Sequence, residues 1–171
     1  MLVRTLSVLL LFASAAVSQE SNPVSFQDNL LDRLVGTWKV TGLVHGSPSK
    51  QTLRAEWVLH HQFLRVYQKS EENVARRDFP FEGLFFIGYD DSAKRYVAHL
   101  MDVFGGRDSE TLGYGNRTTD QVTLEFKQPE GSVTEQFTYA AKLKTWHIVS
   151  SVKTPDGKQI QILDLTAMPA R

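Results

Sequence analysis

From Gly36 onward, apolar and polar residues alternate in short runs. Trp38, Val40 and Val44 fall on one face, opposite Lys39 and Thr41. Leu53, Ala55, Trp57 and Leu59 oppose Arg54 and Glu56, and Val122, Leu124 and Phe126 oppose Thr123 and Glu125. Trp146, Ile148 and Val152 share a face with Ser150, and Ile160 and Ile162 oppose Gln159 and Gln161. A period of two marks strands with one buried and one wetted face. The predicted strands are 37–45, 52–59, 63–69, 81–89, 95–103, 110–116, 121–127, 133–140, 145–153 and 159–166. Turn signals separate them, such as Asp90-Asp91-Ser92-Ala93-Lys94, Pro129-Glu130-Gly131-Ser132 and Pro155-Asp156-Gly157-Lys158, where Pro presets one turn residue and Gly accepts positive φ. The expected fold is all-β: an up-and-down antiparallel β-barrel of about ten strands. The segment Phe81–Tyr89 departs from the alternation, being apolar on both faces. Its outer face is expected to be covered by a helix or by another subunit.

Upstream of the strands the period changes. Phe26, Leu30, Leu31 and Leu34 recur at helical spacing, with Asp28, Asn29, Asp32 and Arg33 between them. This predicts one short N-terminal helix ending at Gly36. Residues 19–25 are polar, include a proline and read as a flexible leader. At the start, Arg4 precedes an apolar run from Leu6 to Ala16, and Ala16 and Ser18 stand at the −3 and −1 positions of a cut after Ser18. That is the pattern of a secretory signal peptide over 1–18. Its apolar run is shorter than the roughly 20 residues a membrane span requires. Residues 26–171 then form one barrel domain.

Composition narrows the function classes. Lys+Arg and Asp+Glu both number 19, so formal charges cancel. No basic surface is available for nucleic acid, and no membrane contact is expected once the leader is cleaved. The absence of cysteine excludes disulfides, thiolate catalysis and Cys-ligated metals. The expected location is periplasmic or secreted.

The motifs Leu34-Val-Gly-Thr-Trp38, Glu56-Trp57-Val58-Leu59, Phe63-Leu64, Phe81-Glu-Gly83, Ile87-Gly-Tyr-Asp90, Tyr96-Val97, and Asp102 with Gly105-Gly106 and Gly113 follow one another along the chain. In this order they resemble the DUF1579 family of uncharacterised bacterial proteins, and Gly36-Thr37-Trp38 resembles the opening of lipocalin-like, or calycin, barrels. The resemblance implies a barrel whose Trp packs across the narrow end near the N-terminal helix. Nitrobindin, a haem-binding relative, opens with G-x-W-x-G-x-G. Here Val40 occupies the middle glycine, and the nearest candidate haem ligand is His147.

Candidate chemistry is sparse. His60 and His61 are adjacent, and no H-x-H pair occurs, so no metal site is expected. His99 is predicted to face away from Asp102, and His147 away from Trp146. Asp102 is either a buried carboxylate paired with Arg54 or Arg65, or a strand-end residue capped by backbone N–H groups. No catalytic residue and no cofactor are assigned. The expected function is binding of a small, partly hydrophobic ligand inside the barrel. Trp57, Arg65, Tyr67, Phe85, Tyr96, Asp102 and Tyr114 are the candidate ligand-binding residues. One alternative is a structural or interaction protein with a filled barrel that forms a homodimer through Phe81–Tyr89. A second is a haem-binding or hydrolase-like activity.

Overall fold

A computed structural model of the protein describes residues 25–109, 111–128 and 131–170. The expected signal peptide, 1–18, and the leader before Ser25 lie outside the described residues. Ten strands, β1 (Gly36–Val44), β2 (Ser47–Val58), β3 (Phe63–Asn73), β4 (Pro80–Asp90), β5 (Arg95–Asp102), β6 (Leu112–Arg117), β7 (Gln121–Gln128), β8 (Gly131–Ala140), β9 (Thr145–Lys153) and β10 (Gln159–Pro169), follow the chain order. Each pairs antiparallel with its sequence neighbour, and β10 closes on β1. Closure removes every free edge. The expected ten-strand, up-and-down barrel is the fold.

The inward positions follow the alternation seen in the sequence. Trp38, Val40, Leu53, Ala55, Leu64, Val66, Phe85, Ile87, Ala98, Leu124, Phe126, Phe137, Trp146, Ile148, Leu165 and Ala167 are all buried. Two positions depart from the expected faces. Leu59 is 66% exposed, because β2 ends at Val58 and Leu59 turns at φ 51°. A bulge between Gln161 and Leu163 shifts the phase of β10. An extra residue on one strand reverses the faces beyond it, so Leu163, Leu165 and Ala167 point inward in place of Ile162, while Ile160, before the bulge, still pairs with Val152 and is exposed near the strand's start.

On β6, Gly113 makes room for a core ring. A Cβ there would lie 2.5 Å from the Phe126 ring carbon Cζ. Phe126 therefore packs flat over β6 and meets Phe85 edge-on, and Phe137 meets Phe85 in the same way from β8. These three rings fill the middle of the interior.

The N-terminal segment forms a plug rather than the expected helix. Its helical part is a four-residue 3₁₀ turn, Leu31–Leu34, with Leu31 and Leu34 buried. The Asp28 carboxylate accepts from the Leu30 and Leu31 N–H groups at 2.9 and 3.0 Å. The carbonyls that a longer helix would use are taken by tryptophans. Trp38 Nε1 donates to Leu34 O at 2.7 Å, and Trp146 Nε1 donates to Arg33 O at 3.3 Å. Trp57 Nε1 donates to Asp32 Oδ1 at 2.9 Å. All three indoles therefore hold the plug. Asp28, itself buried, also accepts from the Tyr96 hydroxyl and from Arg117 Nη1, the latter at 2.8 Å. Phe26 stacks on Tyr89 and packs edge-on against Trp57.

Asp28 is buried, and removing it leaves the Leu30 and Leu31 N–H groups and the Tyr96 hydroxyl without their acceptor. Asp28→Ala is therefore expected to lower stability by about 3 kcal/mol. Trp38→Phe keeps an aromatic ring but loses the Nε1–H donor and part of the buried indole, and should cost at least about 1 kcal/mol. Urea unfolding of both variants checks this. Equal, negligible losses would show that the plug is not anchored through these groups.

Candidate functional site

The seven candidate residues are divided among three places. Trp57 and Tyr96 belong to the plug end, engaged with Asp32 and Asp28, and Trp57 also stacks on His61 at 4.0 Å. Arg65, Tyr67 and Tyr114 lie on the outer face. Arg65 pairs with Glu56, and the Tyr67 hydroxyl donates to Glu82 Oε2 at 2.7 Å. The Arg95 guanidinium covers the Tyr114 ring at 3.9 Å. Phe85 is inside, in the central aromatic layer. Asp102 ends β5 at the rim away from the plug, where its Oδ1 accepts from the Phe104 N–H at 2.9 Å. The strand-end role is the one observed for Asp102.

The histidines stay apart from these groups. His99, paired with Leu112, is exposed on the face opposite Asp102. His147 is on the outer face, with Nε2 2.8 Å from Asp164 Oδ1. His60 and His61 sit in the β2–β3 turn at φ 53° and 64°. Among the described residues, no group of three or more His, Asp or Glu could hold a metal ion.

Two solvent-open grooves flank the plug, with volumes of about 860 and 840 Å³. The first runs past Arg33, Arg117 and Tyr139, and the second past Phe26, Asp28 and Tyr96. The two guanidinium groups that line the first are already engaged. Arg117 binds Asp28 and Asn29, and the Arg33 guanidinium lies over the Tyr139 ring at 5.0 Å.

The interior at the other end is different. The plug half is lined by Leu30, Leu31, Leu34, Trp38 and Trp146, whereas Gln51, Gln68, Ser70, Glu135 and Ser150 are buried polar groups on inward positions of the remaining half. On the β2–β3 wall these groups satisfy one another. Gln68 Nε2 donates to Gln51 Oε1, and Gln51 Nε2 donates to Ser49 Oγ at 3.1 Å. The Ser70 hydroxyl donates to Glu72 O at 2.6 Å and accepts from the Phe81 N–H at 2.8 Å.

On the β8–β9 wall they do not. Glu135, only 8% exposed, is directly opposite Ser150 across the strand pair. The Ser150 hydroxyl is fully buried without a hydrogen-bond partner. Its contact with the carboxyl falls short of a well-formed hydrogen bond but still holds the carboxyl's rise back. β8 and β3 are five strands apart in either direction around the barrel, so Glu135 lies on the wall opposite the strand that carries Gln68. Toward the rim, the next inward pair is Val133 and Val152, with Leu163 beside Ser150. An apolar collar thus stands over a polar pair.

Desolvation raises the Glu135 carboxyl from 4.5 to about 7, with Ser150 acting against the shift. Buried polar groups are almost always hydrogen-bonded, and a strongly perturbed, buried carboxyl marks a candidate functional group. The sequence reading missed Glu135, Gln51 and Gln68 because their residue types suggest surface positions. Ser150 was placed on the inner face. The signal for Glu135 was present, since Val133, Glu135, Phe137 and Tyr139 occupy alternate positions of β8.

Because the folded state binds the Glu135 proton more tightly than the unfolded chain does, this group favours folding in acid. That contribution is lost as pH rises from about 4.5 through about 7. A shift of this size corresponds to about 3 kcal/mol. Glu135→Gln, an isosteric neutral replacement, should therefore be more stable than the wild type at pH 8 and nearly equal to it below pH 4.5. Urea unfolding across this range checks the sign. A variant destabilised throughout would place the carboxylate in a compensated site.

No curated protein matches the chain. A family model described as "Protein of unknown function (DUF1579)" matches residues 25–167, a span from the plug into the last strand of the barrel wall. The chain belongs to the DUF1579 family.

Proposed function

We propose that this barrel is a binding module that holds a small, partly hydrophobic molecule in the half of its interior away from the plug. The observation that carries this reading is the Glu135–Ser150 pair. Ser150 has no well-formed hydrogen bond within the protein, and Glu135 is a buried carboxyl with only Ser150 beside it and no cation paired to it among the described residues. Orphaned buried polar groups cost about 1–3 kcal/mol each, and a ligand polar group placed against them recovers that loss. Val133, Val152 and Leu163 supply the apolar part of the site, as ligand pockets generally require. The leader sequence supports action in a periplasmic or secreted setting.

A neutral fluorescent apolar probe, Nile red, tests the site. Saturable emission enhancement is expected with the wild type, and Val152→Trp, which fills the collar, should abolish it while leaving the fold intact by circular dichroism. Native mass spectrometry of the purified protein should show a small molecule that is lost on denaturation. No probe binding, no co-purifying species and a fully packed interior would together overturn the reading.

A second reading has its own observation. Met101, Phe104 and Tyr114 are exposed on the outer face of β5, the following loop and β6, at 43%, 48% and 38%. A homodimer through this face and the neighbouring Leu84 and Phe86 is the alternative role. Light scattering that gives a monomer at high concentration would sink it.

A further inference from the structure

Resting on that binding reading, we propose that the ligand is a primary amine with a short apolar tail, its ammonium group seated between Glu135 and Ser150 and its tail within the collar of Val133, Val152 and Leu163. Three observations carry the ligand class.

The first is charge. Among the described residues, no lysine, arginine or histidine is buried. Lys69 and Arg65 point outward to Glu82 and Glu56. Arg117 is committed to Asp28 at the plug. An anionic head group entering the barrel would meet a carboxyl and no cation. A cationic one would supply the counter-ion that a buried carboxylate otherwise lacks.

The second is hydrogen-bond inventory. An ammonium has three donors and no acceptor. Glu135 offers carboxylate acceptors, and Ser150 offers hydroxyl lone pairs on the adjacent strand. The Gln51–Gln68 pair is already engaged within its own wall. The unsatisfied side of the interior is therefore the acceptor side.

The third is order along the barrel. The polar pair lies one inward position deeper than Val133 and Val152, which pair with each other across β8 and β9. An amphiphile fits with its head inward and its tail toward the rim.

The other titratable groups in the inward phase have partners of their own: Tyr96 and Arg117 meet Asp28 at the plug, and at the rim that carries the collar Asp102 on β5 accepts from the Phe104 N–H and Glu72 on β3 from the Lys50 N–H and Ser49 Oγ. From the strands beside β8, the inward neighbours are Leu124, Phe126, Ile148, Ser150 and Val152, none of them charged. The pH dependence of amine binding should therefore follow Glu135 alone.

Calorimetric titration with hexylamine, hexanol and hexanoate at pH 5 and pH 8 tests the inference. At pH 8, hexylamine is expected to bind at least about tenfold more tightly than hexanol, the value of one charge-assisted hydrogen bond. Hexanoate should bind more weakly than either. The amine preference should shrink at pH 5, where the carboxyl is protonated. Glu135→Gln should erase the preference while hexanol still binds. Its unfolding transition verifies the fold.

Equal affinity for amine and alcohol, or a preference that survives Glu135→Gln, would overturn the amine assignment and leave the binding module standing. Failure of all three compounds to bind would overturn both. A crystal structure with ordered water satisfying Glu135 and Ser150, unchanged by saturating hexylamine, would also overturn the assignment.

Discussion

The structure depends on how the N-terminal segment is held across one end of the barrel. A ten-strand cylinder has no free edges, but it has two ends, and an open apolar end would be wet. The plug solves this at one end with Leu30, Leu31 and Leu34, all buried. Apolar contact alone would not fix its orientation. Asp28 does so by binding two backbone N–H groups, a tyrosine and an arginine. The three tryptophans add directed donors from β1, β2 and β9. Strands distant in sequence are thereby tied to one short turn.

That closure divides the interior. Near the plug, indoles and leucines are buried against one another. A layer of Phe85, Phe126 and Phe137 follows. Beyond it the wall becomes polar, in two unlike ways. The β2–β3 side is a self-satisfied set running from Gln68 through Gln51 to Ser49, and Ser49 Oγ donates onward to Glu72 at 3.2 Å. The β8–β9 side holds a carboxyl and a hydroxyl without such partners. Natural sequences carry local inconsistencies of this kind mainly at functional sites, and the asymmetry points to one wall.

Much of the fold was legible in the residues because closure and alternation are local signals. Ten strands could be read from the two-residue period and the turn residues between them. The opposition of His99 to Asp102 and of His147 to Trp146 followed from the same period. The N-terminal helix was over-read. Its apolar spacing was helical, but its last carbonyls were claimed by indoles, Trp38 from the strand that follows and Trp146 from a strand distant in sequence. The phase of β10 was misread after Gln161, since a bulge leaves no mark in the side-chain types. The doubly apolar Phe81–Tyr89 segment was legible as unusual, and Leu84 and Phe86 are half-buried on its outer face.

The candidate site was much less legible. Aromatic residues were natural choices for a ligand wall, yet Tyr67 and Tyr114 stand outside, and Trp57 and Tyr96 serve the plug. The sequence by itself determined the strand count, the inward apolar set outside β10, most turn positions and the family. Each of these follows from near neighbours along the chain. Only the tertiary structure decided which polar residues are buried, which have partners, and that Glu135 lies on the wall opposite the strand that carries Gln68. Partnership across strands depends on register and closure, which bring together residues that no local pattern links.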